Sequence, residues 1–199
     1  MTKEILARKI FPYDPTFDGE FSRYDGYNLI TLRKLDPGIS SHPDMELPES
    51  MKPVCIFCSD LKRGKETADE LAMKLDVSEV VPLDLLREVK FDIKKLLTRE
   101  EFEKEGSNLV RQRFVSAFID DDLEESRKEI KLRIDQFLSM VKDLSDGTYL
   151  VIGHSFFMKI LETYRREPDL FEKPGKLIDY LDPTKRTYGH GEGFDLVLV

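Results

Sequence analysis

Cysteine is nearly missing from this chain, with Cys55 and Cys58 the only two. That scarcity excludes a disulfide framework. The C-x-x-C spacing gives no redox or metal site either, because positions three apart on a strand face opposite ways and keep the thiols separate. Zinc would need two further ligands, and the three histidines lie far off in sequence. Buried strand thiols in a reducing compartment are the expectation. Basic residues are also in the minority: 31 Lys and Arg face 39 Asp and Glu, for a net charge of −8. Such a surface repels nucleic acid and anionic membranes, so neither is expected as a partner, and any anion site must be a local basic pocket. No apolar run approaches the length of a membrane span, and residues 1–20 carry charges where a signal peptide would be apolar. The expected location is the cytoplasm. There is no internal repeat, and 199 residues hold one sizeable core.

What is present alternates between strand and helix patterns. Residues 1–26 mix aromatics with Pro12, Pro15, Gly19 and Gly26, and read as an arm packed on a main domain of residues 27–199. Tyr27–Leu32 reads as a short buried strand ending at Arg33-Lys34. Four prolines over 36–53 indicate a loop. A strand over 54–58 runs into a helix from Lys62 to Leu75, with Leu71, Ala72 and Leu75 at helical spacing. Val80–Pro82 offers a third short strand. Residues 98–120 are helical in places and punctuated at Gly106, and 121–144 reads as a long amphipathic helix. Thr148–Ile152 is the clearest buried strand; a helix follows to about Tyr164, and 194–199 forms a last strand. The class is α/β, a three-layer α/β/α sandwich with a mainly parallel central sheet.

Chemistry gathers at three strand ends. Arg33-Lys34 follow the first predicted strand, Ser59 to Arg63 the second, and Gly153-His154-Ser155 the late one. In a parallel sheet these ends share one edge, where open α/β sheets bind ligands and helix N-termini favour anions. Arginine forks suit phosphate oxygens, and a histidine adds a further donor. Arg33, Lys34, Arg63 and Ser59 are therefore the candidate phosphate-binding residues, with His154 beside them.

Residues 59–68 resemble the S-P-x-x-R-x-x-Q-T-A motif of the histidine phosphatase superfamily, the phosphoglycerate-mutase-like enzymes. Ser59, Leu61, Arg63, Thr67 and Ala68 match; Asp60 replaces the proline and Glu66 the glutamine. VIGHSFFMKIL is similar to that family's V-S-H-G-x-x-I-R-x-L, which puts His154 on its second active-site histidine. LREV, residues 86–89, looks like the segment carrying the family's proton donor, which makes Glu88 the candidate acid. The resemblance spans roughly residues 28–164. Aligning LITLRKLDPG with L-x-L-V-R-H-G-E sets Arg33 on the arginine and Lys34 on the nucleophilic histidine. A lysine side chain, with an unperturbed pKa of about 10.4, is protonated at neutral pH and has no lone pair with which to attack phosphorus. The resemblance thus implies a divergent member that binds a phosphorylated small molecule or phosphopeptide without the phosphohistidine route. It implies no cofactor and no metal.

Two alternatives stand beside this reading. The first is an active phosphomonoesterase in which His42, or water held by Glu88 and His154, replaces the missing nucleophile. The second is a serine hydrolase: residues 153–157 look like a G-x-S-x-G elbow with Ser155 as nucleophile, Asp182 or Asp179 as acid and His190 as base. Phe157 stands where that elbow needs a small residue. Neither the ligand nor the oligomeric state is legible in the sequence.

Overall fold

The computed structural model describes residues 2–42, 45, 47, 51–181 and 187–198. Five strands form one sheet in the order β3-β2-β4-β1-β5. These are β1 (Lys3–Lys9), β2 (Cys55–Ser59), β3 (Val80–Leu83), β4 (Gly147–Gly153) and β5 (Gly193–Leu198). The first four run parallel, and β5 joins β1 antiparallel. The helices are α1 (Arg23–Thr31), α2 (Lys62–Leu75), α3 (Ile93–Leu96), α4 (Arg99–Glu105), α5 (Ser107–Asp120), α6 (Arg127–Lys142), α7 (Ser155–Arg166) and α8 (Leu177–Tyr180).

Strand alternation divides the core in two. Ile5, Ala7, Cys55, Phe57, Tyr149 and Val151 pack on one face with residues of α5, α6 and α7. Leu6, Ile56, Cys58, Leu150 and Ile152 face the other way, against Ala68 and Leu71 of α2. The sandwich has the three expected layers, and the two cysteines lie in opposite halves of the core. Burial pushes their thiols up to about 11 for Cys55 and about 12 for Cys58.

Two expectations are corrected at the N-terminal end. Residues 3–9 are the strand between β4 and β5, not part of an arm lying on a domain that starts at residue 27. The run of three apolar residues, Ile5-Leu6-Ala7, is flanked by charges that hid it. Arg8 at its end is neutralised by Asp195 of β5 at 2.7 Å. Tyr27–Leu32, read as a strand, belongs mostly to α1. Its β-favouring residues (Tyr27, Ile30 and Thr31) are overridden by tertiary contacts. Ser22 caps the helix by accepting from the Asp25 amide at 3.1 Å. The Tyr24 hydroxyl donates to the Leu97 carbonyl at 2.7 Å, and Asn28 Oδ1 accepts from the Ile93 amide at 2.7 Å. Within the described residues, the predicted loop over 36–53 holds no helix or strand.

Gly26 lets residues 11–20 fold back on α1, because a Cβ there would lie 1.7 Å from the Pro15 carbonyl oxygen. Alanine is intrinsically the better helix former by about 1 kcal/mol, so propensity and packing oppose each other at this position. The clash is with backbone and dominates: Gly26→Ala is expected to lower stability by about 1–3 kcal/mol, read from urea midpoints.

Candidate functional site

In the strand order the chain goes from β1 to β2 in one direction across the sheet and from β4 to β5 in the other. The carboxyl ends of β1 and β4 therefore flank a crevice of the kind in which open sheets bind ligands. The pairing of Lys9 with Gly153 brings Lys9 level with the start of the Gly153-His154-Ser155 turn. A cavity of about 510 Å³ opens there, lined by Lys9, Arg63, Glu88, His154, Ser155 and His190 among others.

His154 and Arg63 are almost wholly buried, at 3% and 2% exposure. Among the described residues, Nε2 of His154 and Nε of Arg63 have no hydrogen-bond partner. Buried polar atoms are rarely left this way, since an unmade bond costs about 1–3 kcal/mol. Burial, then the charges of Arg63, Arg33, Arg133 and Lys9, hold the imidazole well below its usual pKa. It is neutral at physiological pH in a positive field. Arg63 is steadied by Asp36, which accepts from Nη1 at 3.0 Å, and by the Tyr13 ring, whose centre is 5.2 Å from the guanidinium carbon.

Glu88 sits under the N-terminus of α7. Its carboxylate accepts from the amides of Phe157 at 2.8 Å, Phe156 at 3.2 Å and Val89 at 3.0 Å. Burial is the largest influence on this carboxyl and raises its pKa, against the lowering effect of those amides and Arg63. The N-terminus of α2 is treated similarly: Asp36 Oδ2 accepts from the Lys62 amide at 2.7 Å. Both helix ends that face this edge are therefore supplied with a carboxylate by the chain itself.

Of the predicted phosphate-binding residues, Arg63 faces the cavity, as do His154 and Glu88. The other three sit elsewhere. Lys34 is exposed and does not line the cavity, because the strand expected to deliver it is a helix. Arg33, in a left-handed conformation (φ 59°) beyond the end of α1, clamps the segment bearing Glu88. Its Nη2 donates to the Glu88 carbonyl at 2.5 Å and to Glu125 at 2.9 Å, and Arg133 grips the other oxygen of Glu125 at 2.6 Å. Ser59 is buried as the last residue of β2, where its hydroxyl accepts from the Leu61 amide at 3.4 Å.

The proposed substitute His42 pairs with Glu70 on the exposed surface, away from the cavity. Among the described residues the elbow that the hydrolase alternative needs is not formed. His154 is extended (φ −113°, ψ 157°), Ser155 opens an ordinary helix, and no left-handed residue marks an elbow at this turn. His190 turns Nδ1 to the Ile10 carbonyl oxygen at 2.9 Å, and Asp179 is exposed on α8. Asp182 lies outside the described residues.

Lys9 lines the cavity although sequence reasoning did not select it, and His190, read from the sequence only as the base of the hydrolase alternative, lines it too. A signal for Lys9 existed: residues 4–9 match L-x-L-V-R-H at Leu6 and Arg8, as residues 29–34 do at Leu29 and Arg33. The resemblance to the phosphatase motifs gave His190 no place. His190 reaches the cavity because the turn before β5 folds over the end of β1, where the Lys9 amide donates to the Glu192 carbonyl at 2.9 Å.

Among known proteins, the model of the histidine phosphatase superfamily (branch 1) matches residues 46–173. A search of curated sequences finds no match. Among solved structures, a phosphoserine phosphatase mutant from Entamoeba histolytica, in complex with phosphoserine, is similar at 13% identity. It covers 99% of this chain and 90% of its own, with a TM-score of 0.51. A phosphoglycerate mutase from Bacillus anthracis is similar at 15% identity, covering 99% and 88%, with a TM-score of 0.46.

The neutral, buried His154 has a measurable consequence. Its folded pKa lies below the unfolded value of about 6.5, so below that pH the unfolded chain takes up a proton that the folded chain refuses. Stability therefore falls on acidification below about pH 6.5, by up to about 1.4 kcal/mol per pH unit. Glu88, with its raised pKa, has the opposite sign: its contribution is lost as pH rises through its folded pKa. Comparison with His154→Gln cancels the Glu88 contribution. The drop in urea midpoint between about pH 7.5 and 5.5 is expected to be smaller in the variant; equal drops would mean that His154 charges in the folded state.

Proposed function

Because the chain belongs to the histidine phosphatase superfamily, branch 1, we propose that it binds the phosphoryl group of a small molecule or phosphopeptide without forming the phosphohistidine implied by its family resemblance. The observation that carries this reading is the pair of orphaned, buried nitrogens, His154 Nε2 and Arg63 Nε, on one cavity with Lys9. A phosphoryl oxygen would satisfy either nitrogen, and charge-assisted bonds of this kind are worth about 1.5–3 kcal/mol each. In a chain with net charge −8, Lys9 and Arg63 give this cavity local positive charge.

Lys9 is the reason for excluding phosphohistidine. It ends the strand that fits L-x-L-V-R-H, on the position of the nucleophilic histidine. On this reading the lysine at the nucleophile position is Lys9, in place of the Lys34 that the sequence alignment put there. An ammonium there draws an anion in and does not attack it.

A second reading, hydrolysis with a substitute nucleophile, is favoured by one arrangement. His190 lines the same cavity as Glu88, whose raised pKa suits a proton donor to a leaving oxygen.

Calorimetric titration with inorganic phosphate or vanadate tests the binding. Lys9→Met is expected to weaken it by about tenfold, or ~1.4 kcal/mol, and absence of binding to the natural protein would overturn the proposal. Phosphate release from a panel of phosphomonoesters over about pH 5 to 8 is expected to be nil. Lys9→His is expected to gain turnover and an acid-labile phosphohistidine. Release by the natural protein, abolished in His154→Ala, would establish the second reading instead.

A further inference from the structure

Lys9, Arg63 and, from α5, Arg111 line the cavity, and its 510 Å³ is the size of a small-molecule site, far more than a phosphoryl group fills. Beyond Arg63 the walls are rings. Tyr13, Tyr27 and Phe102 line one run: Tyr13 meets Tyr27 edge-on at 6.2 Å and 76°, and Tyr27 meets Phe102 at 5.9 Å and 62°. Phe91 and Phe156 line the cavity as another perpendicular pair, at 5.5 Å and 89°. Phe156 is held flat on Phe114, with centres 4.0 Å apart, so its orientation is fixed before any ligand arrives.

Resting on the reading that the cavity holds a phosphoryl group, we propose that the body of the ligand is an aromatic ring, so that the site takes an aryl phosphate monoester. Rings meeting edge to face leave both electron-rich faces and electropositive edges towards the space between them, which a further ring can match on either side. Edge-on neighbours and packed partners make this wall rigid, so little ordering entropy is lost on binding.

The cavity is poorly equipped for the other bodies that phosphate esters carry. An amino-acid or amino-alcohol body brings an ammonium that needs a carboxylate. Glu88 is the acidic side chain lining the cavity, and its two oxygens are already engaged by the amides of Phe156, Phe157 and Val89. A polyol body needs hydroxyl partners along its length. Ser107, Thr31 and Ser155 offer hydroxyls, but the rings and the buried Ile30, Ile93 and Val110 share the wall with them and give a polyol no continuous run of partners.

An aryl phosphate reaches a protein either as a free metabolite or as a phosphotyrosine side chain, and the test separates the two. Affinities of inorganic phosphate, phenyl phosphate, glycerol phosphate and a capped phosphotyrosine pentapeptide are measured at one pH and ionic strength. Phenyl phosphate is expected to bind at least about tenfold more tightly than glycerol phosphate, which carries the same charge. Tyr27→Leu, which keeps apolar bulk and removes a ring, is expected to bring that ratio towards one. A pentapeptide tighter than phenyl phosphate would assign the ring to a protein chain; a weaker one would assign it to a free metabolite. Phosphate binding with equal phenyl and glycerol affinities would overturn the aromatic inference and leave the phosphate site standing. No binding of any of the four would overturn the phosphate site itself.

Discussion

The site depends on the parallel pairing of β1 with β4. Seven consecutive residue pairs hold the two strands in register, from Lys3 with Gly147 to Lys9 with Gly153. A slip of one residue would turn Ile5 and Ala7 out of one half of the core and Leu6 out of the other, so burial on both faces fixes the register firmly. Fixing it also fixes where Lys9 ends, beside the turn bearing His154. The chemistry of the edge is set by packing several residues away from it.

Around that register the protein has built a second level of order from buried charge. Glu125 lies between Arg33 and Arg133, and its carboxylate also accepts from the Lys90 amide at 3.0 Å. With Arg133 donating to the carbonyls of Leu85 and Arg87, this cluster holds the segment that delivers Glu88 to α7. Breaking such a pair by removing one partner leaves an uncompensated charge in low dielectric. Arg33 therefore acts on the site from behind, through the backbone that carries Glu88.

How much of this was legible depended on whether local pattern and tertiary context agreed. The helix over Lys62–Leu75 and the strand around Thr148–Ile152 were read nearly residue for residue, because apolar spacing and turn signals pointed the same way. Arg63, Glu88 and His154 came with them, each tied to a strand exit or a motif. Lys34 was misplaced because Tyr27, Ile30 and Thr31 favour a strand in isolation, and only Leu97, Ile93 and Pro15, distant in sequence, make that segment a helix. Lys9 was passed over because a central strand with three apolar residues between charges lacks the long hydrophobic run expected of one. Asp36 was legible only as part of a turn, yet it supplies the carboxylate at the N-terminus of α2.

The placement of β1 also bears on how the molecule assembles. Lys3 pairs with Gly147 on one side and with Leu198 on the other. β1 thus waits for partners far along the chain, and its amides and carbonyls stay unpaired until those partners are made. Closing loops of that length costs entropy before the contacts repay it, so the centre of the sheet forms late and slowly. Until then Ile5, Leu6 and Ala7 are an unsatisfied strand on a nascent chain, the kind of segment that chaperones exist to shield.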